Sequence, residues 1–353
     1  MGGVKRFAAV NTKIRVLKSR MLNDKDYISL LSKESVKDIA NYLKEKTSYK
    51  KFLDIKNIDD IHRGELELIL KKYIVLQYEK LLHYFTDEYR KLFRILFMRY
   101  EIEDLKLYIR AFARGENTKT LEELVLYSGV YSIVNHHLLD DAKNIEDFIR
   151  SLKGTVYYDF LRPFEKEESH KLTFYMEMAL DRNYFKSLYE QVLRLEKHDK
   201  ELLEELLGKN IDLLNLEWIY RGLKFYKLSP EELINYTLIG GYTLSYDDIK
   251  SLCYSKDENQ LMLRMKDSKY GFLFDNKNTL DLFMERRIER YLYFQLSNYY
   301  KRGRMDITQS IAYMHLLEYE MRDIISITEA IRYKLDKEET KRYLIRRIEG
   351  RDS

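Results

Sequence analysis

Proline occurs only twice in the 353 residues, at Pro163 and Pro230, and that scarcity bears most directly on the fold. Proline removes a backbone donor and clashes with the preceding turn, so its absence leaves long stretches with nothing to stop a helix. Leu, Glu, Lys, Arg and Met dominate those stretches, and all are good helix formers. Leu317, Met321, Ile324, Thr328, Ile331 and Leu335 recur at steps of four and three, with Glu318, Arg322, Glu329 and Arg332 between them. That spacing predicts an amphipathic helix with one face in a core. Similar spacing runs through residues 68–82 and 202–216. Strand-like alternation is short and scarce, and residues 242–246 are its best candidate. The expected fold class is all-α.

The chain is 45% hydrophobic and 34% charged, a globular balance long enough for two or three domains. No run of about 18 apolar residues is present to span a bilayer. The start, Met1-Gly2-Gly3-Val4-Lys5-Arg6, lacks a signal-peptide apolar stretch, and Arg6 stands where a myristoylation signal has Ser or Thr. A single cysteine, Cys253, excludes an internal disulfide framework and a cysteine-based zinc site. A soluble, intracellular, cytosolic protein is expected. Lys and Arg number 62 against 58 Asp and Glu, a net +4 that is nearly balanced for this size. One local excess stands out: Lys5, Arg6, Lys13, Arg15, Lys18 and Arg20 all precede the first acid, Asp24. A solvated helix face is its ordinary reading.

The chain also repeats itself about every 110 residues. A capping box places Ser, Thr or Asp at a helix N-cap with Glu three residues later. It occurs at Thr120–Glu123, Ser229–Glu232 and Asp336–Glu339, steps of 109 and 107 residues. Pro230 at the first helical position strengthens the middle copy. Upstream, Asp104-Leu105 with Arg110, Asn215-Leu216 with Arg221, and Asp323-Ile324 with Glu329 read as matching helix starts. A second marker comes early in each copy: Leu43, Tyr49 and Phe52; Leu152, Tyr157 and Phe160; Met265, Tyr270 and Leu273. The expected organisation is three divergent helical repeats, residues 1–124, 125–236 and 237–353, arranged around a pseudo-three-fold axis. The period is too long for a solenoid.

No catalytic constellation stands out. There is no Walker loop and no Gly-x-Gly-x-x-Gly, and Gly240-Gly241 lacks the Lys-Ser/Thr that a phosphate cradle needs. His136-His137 lies near Asp140-Asp141, where His137 and Asp141 form an i, i+4 pair that could share a metal, but neither this pair nor His315 with Glu318 has a third ligand at useful spacing. His-Glu-x-x-His and Gly-x-Ser-x-Gly are absent. The paired acids 122–123, 140–141, 204–205 and 338–339 fall in capping boxes or among lysines, where structural use is expected. The 31 Tyr and 16 Phe cluster on helices, and Tyr299–Arg304 mixes basic and aromatic residues. Such mixing suits single-stranded nucleic acid, but with a near-neutral charge a protein interface or core is the better reading. No catalytic residue, metal, cofactor or nucleic-acid partner is expected.

One family matches this pattern. The segment Phe7-Ala8-Ala9-Val10-Asn11-Thr12-Lys13-Ile14-Arg15 leads toward Leu22-Asn23-Asp24 and Tyr27, and three all-helical units follow. The second carries Asn215-Leu216-Glu217-Trp218-Ile219-Tyr220-Arg221-Gly222 and then Leu228-Ser229-Pro230-Glu231-Glu232-Leu233. Across essentially its whole length the chain resembles the C subunit of the archaeal and bacterial V-type/A-type ATPases, the counterpart of the d subunit in eukaryotic vacuolar ATPases. The resemblance implies a funnel of three helical domains on the cytoplasmic side of the membrane. It implies a non-catalytic, peripheral part that binds no nucleotide directly and joins the rotating shaft subunits to the proteolipid ring, coupling ATP synthesis or hydrolysis to ion transport. On that reading Asn11, Arg15, Arg110 and Arg221 are the candidate shaft-facing residues, with Glu329 replacing the arginine in the third copy. The alternative for each is a helix-surface salt bridge. Rival readings are an unrelated helical scaffold, a nucleic-acid binder using the basic N-terminus, and an enzyme without a recognisable motif.

Overall fold

The computed structural model describes residues 2–54, 58–127, 129–167, 171–303 and 305–348, and no strand occurs among them. Short helices alternate with long ones. In chain order they are α1 (Gly2–Lys18), α2 (Asp24–Leu31), α3 (Val36–Lys46), α4 (Lys50–Leu53), α5 (Arg63–Leu82) and α6 (Asp87–Arg114). Then come α7 (His136–Asp140), α8 (Ile145–Ser151), α9 (Val156–Leu161), α10 (Leu172–Val192), α11 (Lys197–Arg221) and α12 (Pro230–Tyr236). The last are α13 (Tyr246–Cys253), α14 (Glu258–Met265), α15 (Leu280–Arg302), α16 (Thr308–Arg332) and α17 (Lys337–Tyr343). Helices α5, α10 and α15 start at residues 63, 172 and 280, and α6, α11 and α16 at 87, 197 and 308, steps of 108 to 111 residues throughout.

The chain divides into two compact units, Met1–Gln77 with Glu258–Ser353, and Tyr78–Asp257. In the first, α15 and α16 lie antiparallel, with Tyr293 facing Tyr319 and Arg286 reaching Ser326. Helix α16 is buried over most of its length, and α1 packs along it through Phe7, Val10 and Ile14. In the second, α6 and α10 form the most extensive helix pair, around Leu105, Ile109, Met176 and Leu180. These long helices bury residues on more than one side, which explains why they persist without isolated-helix stability.

Their ends follow local chemistry. Ser229 and Glu232 make both arms of the expected capping box at α12, and Asp336 accepts the Glu339 N–H at 2.7 Å at the start of α17. Asn23 with Asp26 and Ser245 with Asp248 form two further boxes at α2 and α13. The first expected box differs. Residues Thr118–Thr120 and Glu122–Leu124 make two 3-10 turns with no α-helix, and the side chains of Thr120 and Glu122 lie outside the described residues. Residues 242–246 are not a strand either: 242–244 bend into the N-cap Ser245, and α13 begins at Tyr246.

Candidate functional site

The residues expected to start helices sit in the middle of them. Asp104 lies within α6, Asn215 within α11 and Asp323 within α16, all buried. Each serves a segment 22 or 23 residues downstream instead of its own helix. Asp104 accepts the Leu126 N–H at 2.8 Å and the Tyr127 N–H at 3.2 Å. Asn215 accepts the Leu238 N–H at 2.7 Å and donates to the Leu238 carbonyl at 2.9 Å. Asp323 accepts the Ile345 N–H at 2.6 Å and the Arg346 N–H at 3.1 Å, and Tyr27 donates its hydroxyl at 3.3 Å.

One turn earlier on each helix an acid holds another segment. Glu101 accepts the Ile133 N–H at 2.9 Å and the hydroxyls of Ser132 and Tyr157 at 2.7 and 2.6 Å. Asp212 accepts the Thr243 N–H at 2.7 Å and the Leu244 N–H at 3.3 Å. Glu320 accepts the Leu22 N–H at 2.7 Å and the Tyr49 hydroxyl at 2.6 Å. Residues three apart share one helix face, so each pair ties two loop segments to one long helix. Buried backbone donors that would otherwise be orphaned are satisfied.

Burial raises three of these carboxyls, Asp104, Glu320 and Asp323, to about 7, outweighing the backbone donors that lower them. Unfolded Asp and Glu titrate near ~4. Between roughly pH 4 and 7 the fold therefore holds more protons than the unfolded chain, and stability falls as pH rises through that window. His136, its pKa lowered by burial, opposes the trend as the medium becomes acidic. Urea unfolding should give a higher midpoint at about pH 5.5 than at about pH 8; a midpoint that climbs with pH would contradict this assignment.

In the second unit α6 and α10 are joined by two ion-pair rungs. Lys106 donates to Asp181 at 2.6 Å and to Glu103 at 3.4 Å. One turn on, Arg110 holds Glu177 through both carboxylate oxygens, at 2.7 and 3.1 Å. The i, i+4 spacing of Lys106 and Arg110 meets the i, i+4 spacing of Glu177 and Asp181 because the helices run antiparallel. Glu177 and Asp181 also line a cavity of roughly 180 Å³, with Phe174 from α10, Trp218 and Arg221 from α11, and Tyr226 and Tyr236 beyond. Phe174 stacks on Tyr226 with centroids 4.4 Å apart. After Arg221 the helix widens into one π-turn, Gly222–Tyr226. A Cβ on Gly222 would overlap the Leu233 side chain, so glycine lets α12 close over that turn.

Arg110 and Arg221 are thus related through one cavity: Arg110 grips its lining residue Glu177, and Arg221 lines it directly. Arg221 is exposed and pairs only loosely with Glu217, at 3.7 Å. Asn11 and Arg15 belong to the other unit. Asn11 is fully buried, donating to the Asp306 carbonyl at 3.1 Å, and Arg15 on the same helix is exposed. Glu329, at the position of the two arginines, pairs with Arg63 at 2.5 Å. His136 contacts the Tyr127 carbonyl at 3.0 Å, and His315 pairs with Glu318 at 3.3 Å. Among the described residues no three His, Cys, Asp or Glu side chains are grouped to hold a metal.

A family model described as ATP synthase (C/AC39) subunit matches residues 10–343. The chain belongs to this family. It is 24% identical to the C subunit of the A-type ATP synthase of Methanosarcina mazei over 73% of this chain and 70% of that protein. The corresponding C subunit of Methanothermobacter thermautotrophicus is 26% identical over 75% of this chain and 66% of its own length. That of Methanosphaera stadtmanae is 22% identical over 91% and 83%. In this C/AC39 family member no helix among the described residues is long and apolar enough to cross a membrane.

Proposed function

We propose that this chain is the non-catalytic central-stalk component of an A-type rotary ATP synthase. It sits on the cytoplasmic face of the membrane and links the shaft subunits to the proteolipid ring, so that ATP turnover is coupled to ion transport. It binds no nucleotide itself. The observation that carries this reading is the family match over residues 10–343, with relatives named as the C subunit of A-type ATP synthases. An adaptor between turning parts must be stiff. The paired polar side chains on α6, α11 and α16 supply stiffness by fastening loop segments to long helices, and their recurrence supports three divergent repeats with the boundaries 1–124, 125–236 and 237–353. Torque also demands contacts of obligate size, about 2,000 Å² or more on each side. Arg15, Arg110 and Arg221 are the exposed cations assigned to the shaft side, with buried Asn11 fixing the helix that carries Arg15.

Co-expression with the two shaft subunits from the same source, followed by native mass spectrometry, is expected to yield a 1:1:1 complex. Arg221→Glu should weaken it by about tenfold or more, because its ion pair within the chain is loose and its loss costs the fold under about 1 kcal/mol. A chain that remains alone at both low and physiological salt would sink the rotor reading.

A further inference from the structure

The chain's charge is unevenly placed. Residues 1–23 hold six cations and no acid, so the net +4 is +6 in that segment and −2 in the rest. Helix α1 turns Phe7, Val10, Asn11 and Ile14 inward and leaves Lys5, Lys13 and Arg15 exposed, with Arg20 exposed just beyond its end. Asn11 binds the Asp306 carbonyl, which brings α1 to the loop after α15. Arg15 is near enough to Tyr300 to act on its hydroxyl, and Lys301 and Arg302 follow, both exposed. Among the described residues none of these six exposed cations has an acidic partner. Some exposed cations elsewhere are matched, as Arg110 is by Glu177 and Arg150 by Glu146 and Glu165, and others such as Lys119 and Lys250 are not; what sets residues 1–23 apart is six cations with no acid among them.

We propose that the exposed face of α1, together with the end of α15, is a docking surface for the anionic headgroups of a lipid bilayer. Lysine is depleted from protein–protein interfaces, yet half of these cations are lysine, which suits a fluid anionic surface better than a fixed protein one. Exposed Ala9 and the 45% exposed Val16 let the helix approach closely, and half-buried Tyr299 and Tyr300 place amphipathic rings beside the cations. The inward face of α1 is already committed to α16, so the contact is electrostatic and peripheral, without helix insertion. Its strength adds across the cations and is lost as salt shortens the Debye length. The inference does not depend on the rotor reading, because vesicles contain no proteolipid ring, but it gives Arg15 to the bilayer in place of the shaft and leaves Arg110 and Arg221 as the shaft-side cations.

The test is co-sedimentation of the full chain with vesicles of phosphatidylcholine alone or with about 30% phosphatidylglycerol, at about 50 mM and about 500 mM salt. The expected result is about tenfold or more greater binding to the anionic vesicles, abolished by high salt and by the combined Lys5→Gln, Lys13→Gln, Arg15→Gln and Arg20→Gln variant. A melting curve on that variant shows whether it is folded; if it is not, Lys13→Gln alone should still reduce binding about fivefold. Equal binding to both vesicle types overturns the proposal, as does binding that the folded variants retain. Inorganic phosphate at matched concentration should not displace the protein. Displacement by a single-stranded oligonucleotide at matched phosphate would overturn the lipid assignment in favour of nucleic acid.

Discussion

Replacing Asp323 with leucine is expected to cost the first unit about 3–5 kcal/mol, because the Ile345 and Arg346 N–H groups and the Tyr27 hydroxyl lose their acceptor together. Asp323→Asn should cost less, about 1–2 kcal/mol. Asn215 holds the corresponding place on α11 as a neutral side chain, but it does so by both accepting from and donating to Leu238. At 323 both partners are N–H donors, so one end of an asparagine would face a donor with its own N–H. The carboxyl does not face that conflict when protonated, since the Tyr27 hydroxyl can turn from donor to acceptor. Asp323→Asn should therefore also flatten the fall of stability with pH, which the leucine variant alone would not diagnose. Trp218 lies in the other unit, so urea curves followed by circular dichroism should shift more than those followed by tryptophan fluorescence. A leucine variant within about 1 kcal/mol of the parent would refute the clamp.

The long helices are readable from sequence because nothing interrupts their pattern, and α16 carries the expected face through buried Leu317, Met321, Ile324 and Thr328. Asp104, Asn215 and Asp323 stand out by their period, but their role differs from the one their residue type suggests. Asp and Asn favour helix starts because they accept backbone N–H groups, and here the N–H groups belong to segments more than 20 residues away. A signal does exist: Tyr100-Glu101 with Asp104-Leu105 is matched by Tyr319-Glu320 with Asp323-Ile324, acids on a face otherwise apolar. The alternation at 242–246 has the same origin. An acid pins Thr243 and Leu244 in a bent segment, giving strand-like spacing without a partner strand. The cavity is not legible in the sequence at all. Its walls come from α10, α11, the π-turn and α12, and it depends on the missing side chain of Gly222, which no local pattern encodes.

Gly241→Ala should be the most damaging single-methyl change in the second unit, at about 3–5 kcal/mol. A Cβ there would overlap Asp212 Oδ1 and sit 2.6 Å from the Leu244 carbonyl oxygen. Neither atom is the free end of a flexible side chain. Asp212 is fully buried and is held by the Thr243 and Leu244 N–H groups, so it can move only by releasing them. The loss thus combines steric strain with two orphaned donors. Gly115 offers the contrast: its φ of +67° makes alanine strained there, yet nothing lies within 4 Å of the added carbon. Gly115→Ala should cost only about 1 kcal/mol, the ordinary penalty of a left-handed residue. If both glycines were needed only for backbone freedom, the two variants would lose similar amounts. Close approach also makes a prediction about coupling. In Gly241→Ala with Asp212→Ala the clash partner is gone, so the double variant should be more stable than the sum of the single losses by about 1–3 kcal/mol. Trp218 fluorescence in urea reads this unit directly, and strictly additive losses would show that Gly241 and Asp212 do not meet as described.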